Sequence, residues 1–403
     1  MNHPSTPTPE FQFVAVSALH PLRQDEVDQL RQRCETLLNW ETAMILARRH
    51  KVVPLLSFNI ERYIPYAIPP DIHLRLQAKH ERQQQRASAL VDELLSITHL
   101  FQSEGIPTGS LKGPVLSKQL FGDVALRSTR DLDVLTLPER VSQAEQILLA
   151  AGYEHKEPSR AFTFRQRQAY AWLHHHNTYR HPEKRITFEL HWSFASTYLV
   201  PPAVIRQIVA RAQSLDWAGT QLGVLTLEDT LAFLLVHGAK HRWARLKYLA
   251  DLDAFARSKL PIDWHRLAAN MAEWRLQRPL AQGFLLARWM LGTQTPAPIQ
   301  RIADHEPMAQ ALAAESRRAL LEPHGHLAVG GPFTSFQHAR YMAKLKPGLR
   351  YPASYLMSFL LFSLNDWNEV DLPDHLLPLY FVLRPFLWLR RYYLRQRPQT
   401  PIQ

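Results

Sequence analysis

The stretch "GDVALRSTRDLDVLTL", residues 122–137, decides how the rest of the chain is read. Leu132, Val134, Leu135 and Leu137 ask for an apolar environment, yet Asp131 and Asp133 sit among them one residue apart. Side chains alternate across a strand, so the two carboxylates project to one face while Leu132 and Val134 face the core. Like charges on one face repel, and a divalent cation that prefers oxygen ligands, magnesium or manganese, offsets that repulsion. The plainer alternative is a solvated strand end, or ion pairs with Arg127 and Arg130. The same tripeptide recurs at 251–253. There it falls in a helical pattern, where that spacing does not align the two side chains.

Working outward, "GIPTGSLKG" (105–113) reads as a short strand ending at Gly113-Pro114, with proline at the first helical position. "PVLSKQLFG" gives a short helix closed by Gly122. After the strand come a helix from Pro138 to Ala151, a stop at Gly152 and a strand at Tyr153. "RITFELHWSF" (185–194) alternates as a further strand, with Thr187, Glu189 and His191 on one face and Phe188 and Leu190 on the other. A third carboxylate on a neighbouring strand would complete a two-metal site.

The flanks have a helical texture. Residues 24–50 and 71–104 place apolar side chains at helical spacing, and helices resume at Thr226 with a capping-box-like Thr226/Asp229 pair. The expected fold class is therefore α+β, a small mixed sheet enclosed by largely helical N- and C-terminal segments. The expected division is a helical segment 1–104, an α/β core 105–200, a helical domain 201–320, and a loop-like and then basic, apolar segment 321–403, with 322–352 as loop.

Among 403 residues, 14 glycines and 29 prolines favour helices punctuated by breaks, and 46% hydrophobic content argues for a folded chain. A formal charge of +11 points to an anionic partner. The single cysteine, Cys34, excludes an internal disulfide and a cysteine zinc site, and suits a reducing cytosol. The start, "MNHPSTPTPEFQF", lacks the pattern of a secretory signal and reads as a disordered tail. No stretch reaches the roughly 18–20 apolar residues of a membrane span. Residues 376–397 read either as an interfacial helix on anionic lipid or as a terminal helix packed on the body. The expected location is the cytoplasm, with peripheral membrane contact through 376–397 as the second reading.

In order and spacing, "SLKG", "LRSTRDLDVL", a helix ending in "AGY", "FELHW" and "LVHGAKH…LKYLADLDAF" resemble the uncharacterised nucleotidyltransferase family of the polymerase-β-like superfamily. The likeness covers roughly residues 37–256. It implies that Asp131 and Asp133 bridge two magnesium ions holding an NTP triphosphate, with Glu189 completing the site for the ion that activates the acceptor. The usual Gly-Ser or Gly-Gly turn of the superfamily is replaced here by Lys112-Gly113.

Other residues join this site by position. Lys112 and Gly113 lie where a strand turns into a helix, so an ammonium and backbone N–H groups can face phosphate. Arg127 and Arg130 precede the strand and suit phosphate or carboxylate equally. In "HGAKH" (237–241), Lys240 and His241 can close over the nucleotide, with Asp251 as a structural or orienting partner. The HExxH arrangement is missing there. Adjacent histidines on a strand point to opposite faces, so "HHH" (174–176) is read not as a zinc site but as a hairpin bordering the acceptor, with His174 and His176 on one side. His191 is placed on the acceptor side as well.

The leading reading is a magnesium-dependent nucleotidyltransferase, moving NMP from an NTP (ATP as the working donor) to a small-molecule, peptide or other hydroxyl or phosphate acceptor. The alternatives are a non-catalytic nucleotide-binding or scaffold protein, and an RNA-binding protein. Scattered basic residues and the absence of a nucleic-acid motif weigh against the last.

Overall fold

The computed structural model describes residues 6–36, 39–157, 162–217, 219–322, 332–361 and 364–395. Seven strands form one mixed sheet: β1 Thr108–Ser110, β2 Asp131–Thr136, β3 Glu154–Glu157, β4 His176–Arg180, β5 Thr187–His191, β6 Gln213–Trp217 and β7 Thr220–Val224. Their order is β3-β4-β5-β2-β1-β7-β6. The pairs β2–β5 and β1–β7 are parallel and the other neighbours antiparallel. The chain is thus α+β with helical flanks. Its sheet continues past residue 200, because the β6–β7 hairpin adds to the far side of β1.

The alternation in β2 and β5 divides the molecule. Leu132, Val134, Phe188 and Leu190 pack with Leu90, Leu94, Ile97 and Phe101 from the 34-residue helix Pro70–Ser103. Leu135, on the Asp131/Asp133 side of β2, belongs instead to a larger core built from the flanking helices. That core joins Phe11 and Phe13 near one end of the chain to Tyr341, Leu345 and Tyr351 near the other. The flanks therefore share one interior, which packs on the carboxylate side of the sheet.

Local signals set the element ends. Gly113 (φ 81°) precedes Pro114 and the helix Pro114–Phe121, and Gly122 (φ 75°) closes that helix in the left-handed region that glycine adopts most readily. Thr226 caps the helix Leu227–Lys240, accepting from the Asp229 N–H. Its hydroxyl donates to Asp229 Oδ2 at 3.0 Å, so the pair closes side chain to side chain. In the helix Leu246–Arg257 the two aspartates go to different partners, as helical spacing predicts. Asp251 takes Arg127, while Asp253 takes Arg257 and Thr293.

Two expectations are corrected. The N-terminal stretch is not a tail throughout: Pro9–Val16 is a helix whose Phe11 and Phe13 are buried, residues 1–5 lying outside the described residues. The loop expected at 322–352 contains the helix Pro332–Met342, and a further helix, Arg350–Leu361, begins within it; 323–331 are outside the description. Cys34 is half-buried, and burial together with Glu35 pushes its thiol up to about 12, which keeps it protonated.

Among the described residues no helix is long and apolar enough to cross a membrane. Within 376–397 the helix is Leu379–Arg395. It buries Tyr380 and Leu387 and exposes Leu379, Phe381, Val382, Phe386 and Leu389. Arg384 and Arg391 turn inward to Asp366, and Arg391 also meets Glu369. Those two arginines are neutralised within the chain, which reduces the charge available to anionic lipid.

Close packing on Trp243 gives the first prediction. This fully buried indole fills the space over Gly238, where an added Cβ would meet Trp243 Cζ3 at 2.5 Å. In an unobstructed helix Gly→Ala stabilises by about 0.4–1 kcal/mol. Here Gly238→Ala is expected to destabilise by about 1–3 kcal/mol through overpacking. Urea denaturation measures it, and an unchanged or raised midpoint would contradict the packing described.

Candidate active site

The register of the parallel pair β2–β5 builds the site. Asp131 lies opposite Thr187, Asp133 opposite Glu189, and Leu135 opposite His191. Two carboxylates thus sit side by side on neighbouring strands, the Asp133 side chain fully buried and that of Glu189 21% exposed. The charge is met from two directions. Lys112, two residues beyond β1, places Nζ 2.9 Å from Asp133 Oδ1. His191 Nε2 lies 3.2 Å from that oxygen and 3.3 Å from Glu189 Oε2, a position from which one N–H can serve both.

The pKa shifts follow from this arrangement. Burial works against the Lys112 ammonium, but Asp133, Asp131 and Glu189 outweigh it and hold its pKa above the usual lysine value. Burial likewise opposes the charged form of His191, and its hydrogen bonds to Asp133 and Glu189 raise it above the ordinary value. Glu189 is held below the usual range because the His191 hydrogen bond and nearby Lys112 overcome desolvation. It is therefore anionic at neutral pH.

Above these groups opens a cleft of about 560 Å³, walled by the ends of the helices Leu227–Lys240 and Leu246–Arg257. Lys112, Asp131, Glu189 and His191 reach it from the sheet side, and Lys240, Arg245 and Lys247 from the helices. His338 and Met342 join it from the C-terminal region, a contribution that the sequence reading did not anticipate. Lys247 donates to the Ser128 carbonyl in the loop before β2. Lys240 Nζ donates to His175 Nε2 at 2.7 Å, and burial with the neighbouring Lys112 lowers its pKa to about 7.

Not every expected residue arrives in the expected role. Arg127 lines the cleft but makes a buried bidentate pair with Asp251, both contacts 2.9 Å; its partner is neither Asp131 nor solvent. The sequence reading offers Asp131 or solvent as its alternative partners to phosphate, and does not pair it with Asp251. Arg130 is exposed at the rim. His241 lies on the rim, its ring stacked on Tyr248 at 5.9 Å. Gly113 sits at the foot of its helix, where an added Cβ would have room but the positive φ excludes most side chains.

The histidine triplet departs most from expectation. His174 stacks on Tyr170 at 4.2 Å and is not among the residues that line the cleft. His175 and His176 both line it, and His176 stacks on His191 at 4.8 Å. Strand alternation does not separate them, because β4 starts only at His176. His175, His176 and His191 consequently offer nitrogen atoms within 4.8 Å of one another. The Lys240 ammonium against His175 competes with any metal there. No sequence signal singled out His175; its partner lies 65 residues away.

A second convergent group, Asp133, Glu189 and His191, likewise brings its ligand atoms within 4.8 Å. Asp133 Oδ2 is buried with no hydrogen-bond partner, an orphaned anionic acceptor of the kind a cation satisfies. Two carboxylates and one imidazole, with Asp131 on the rim, fit a hard divalent ion. His191 thus stands in this cluster beside the two carboxylates, and Asp131, which the resemblance also gives to the metal, lines the same cleft.

Asp131 and Glu189 line a cleft walled by ammonium and guanidinium groups, with Asp133 buried beneath it. The sequence agrees with the geometry: residues 36–292 match the model of a family described as uncharacterised nucleotidyltransferase, and the chain belongs to that family. Nucleotidyl transfer is thereby its class of chemistry. No curated protein matches it significantly.

The buried histidines make acid stability a test of the site. Burial first, and nearby positive groups second, hold His174 at about 4 and His176 at about 2, and push His175 and His237 well below the ordinary value of 6.5. Their folded pKa values lie below the unfolded ones, so stability is intact above pH 6.5 and declines as pH falls towards the folded values. Each histidine contributes about 1.4 kcal/mol per pH unit within that window. His191, shifted upward, contributes in the opposite sense: its stabilisation is complete below pH 6.5 and is lost as pH rises through its folded pKa. Urea midpoints of chelator-treated protein should fall steeply from about pH 6.5 to 5, and His176→Asn should flatten the slope by about one proton. A flat profile would contradict the neutral, buried state of these rings.

Proposed function

We propose that the protein moves an NMP unit from an NTP, taken as ATP, to an acceptor oxygen and releases pyrophosphate. The observation that carries this reading is the in-register pairing of Asp133 with Glu189 beneath a cationic cleft. In the reaction the acceptor oxygen bonds to the α-phosphorus, the bond from that phosphorus to the bridging oxygen of the β-phosphate breaks, and the acceptor's proton leaves to base or solvent. Negative charge grows at both ends of the displacement, and catalysis consists largely of positioning and neutralising it.

The chain's own groups divide that work. Asp133, Glu189 and His191, with Asp131 at the rim, are the residues that would hold magnesium or manganese. Bound there, the metal would supply Lewis-acid stabilisation to the phosphate oxygens and the attacking group. Lys112 pairs with the buried Asp133 carboxylate. Lys240, Arg245 and Lys247 face the triphosphate from the helices, and His241 borders it. Lys240 carries a pKa of about 7, which a bound phosphate would raise. His176 and Glu189 border both this cleft and a smaller neighbouring one of about 340 Å³.

Transfer of label from α-labelled NTP to a mixed acceptor pool tests the proposal. Glu189→Gln and Asp131→Asn should each lower transfer by about 10²–10³-fold with unchanged circular dichroism. Transfer at the wild-type rate in both variants would remove these carboxylates from the chemistry and favour a nucleotide-binding scaffold.

A further inference from the structure

A second cleft, of about 370 Å³, opens beside the catalytic one and shares Lys51, Ser128 and Arg130 with it. Arg48, Lys51, Lys79, Arg82, Arg86 and Arg130 line it together with neutral side chains, and no carboxylate does. Arg130 directly precedes Asp131, so this cleft begins next to the carboxylates of the site.

The cations are held together at a cost. Lys79 Nζ is buried without a hydrogen-bond partner. Desolvation, Arg48 and Arg75 all destabilise its charged form, with Glu41 the opposing influence. Lys51, in the left-handed conformation at φ 60° after the helix Trp40–His50, is likewise disfavoured by burial, Arg130 and Arg245. Elsewhere on these helices the basic groups find acids, as Arg75 does with Glu41. Among the described residues the cations that line this cleft make no ion pair, although the scaffold is fixed. Gln83 and Arg86 of the long helix donate to the Arg127 and Arg130 carbonyls and tie the cleft wall to the loop before β2.

We propose that this second cleft binds the acceptor and that the acceptor is a small phosphorylated molecule, its phosphate held by the Arg48–Lys79–Arg82 side while its nucleophile reaches the carboxylates past Arg130. The assignment rests on the nucleotidyltransferase reading of the neighbouring site. Guanidinium and ammonium groups gathered with no carboxylate among the lining residues are recognition chemistry for phosphate. RNA is disfavoured because, apart from His80, no aromatic ring lines the cleft to stack a base. The triphosphate has its own cations in Lys112, Lys240 and Lys247.

Calorimetry on the full chain tests this with fructose 1,6-bisphosphate as the probe and fructose as the uncharged control, in chelator so that no metal–nucleotide complex forms. Arg48 and Arg82 are exposed, so Arg48→Gln/Arg82→Gln leaves the fold in place. The expected result is one bisphosphate bound per chain at millimolar concentration, no binding of fructose, and affinity about tenfold or more lower in the double variant. Magnesium-dependent NTP binding should be unaltered in that variant. No bisphosphate binding, or equal binding by wild type and variant, overturns the proposal while leaving the transferase reading intact. A parallel loss of NTP affinity overturns it by making the cleft the triphosphate's seat. Tighter binding of an RNA oligonucleotide, increasing with its length, also overturns it. If wild type binds no NTP yet binds bisphosphate as expected, the transferase reading fails and the phosphate site stands.

Discussion

Asp133 and Glu189 are locked opposite each other by the parallel register of β2 and β5, and the surrounding structure answers to that proximity. An unpaired buried carboxylate costs several kcal/mol, and two adjacent ones cost more. Lys112 and His191 are placed within hydrogen-bond reach to offset it. A further layer of positive groups lies beyond them on the helices, and the interleaved histidines are kept neutral by burial first and by these positive groups second. Under the proposed function, the anions at the floor would take the metal and the cations on the walls the triphosphate.

The walls need an anchor, and Arg127 with Asp251 provides one. The pair joins the loop that delivers Asp131 to the helix Leu246–Arg257, across 124 residues of sequence. Breaking one side of such a buried pair costs about 3–5 kcal/mol, since the remaining charge is left without a partner. The arginine therefore acts on the cleft by fixing its two walls relative to each other. The long helix Pro70–Ser103 does comparable work on the opposite sheet face, where apolar contact is sufficient.

Much of this was legible because it is local. Strand alternation alone puts Asp131 and Asp133 on one face and Glu189 with His191 on another such face, and the glycine and proline signals around Pro114–Phe121 bound that helix correctly. What depends on distant partners was not legible. The Arg127 ion pair has no signature in either segment, and the turn that lets His175 and His176 both enter the cleft lies just before the point where alternation begins. Pro9–Val16 was misread because its prolines and threonines suggest a tail, whereas Phe11 and Phe13 find the core only in three dimensions. The basic cleft around Lys79 looked like scattered charge because its residues come from separate helices and the loop before β2.

The most direct measurement is calorimetric titration of each NTP, with and without magnesium, into wild type and Asp131→Asn/Asp133→Asn, with thermal melts confirming that both are folded. The account predicts that wild type binds an NTP only when magnesium is present and that the double variant loses this binding. Binding that ignores magnesium, or that survives in the folded double variant, would contradict the claim that these carboxylates hold a metal–nucleotide complex.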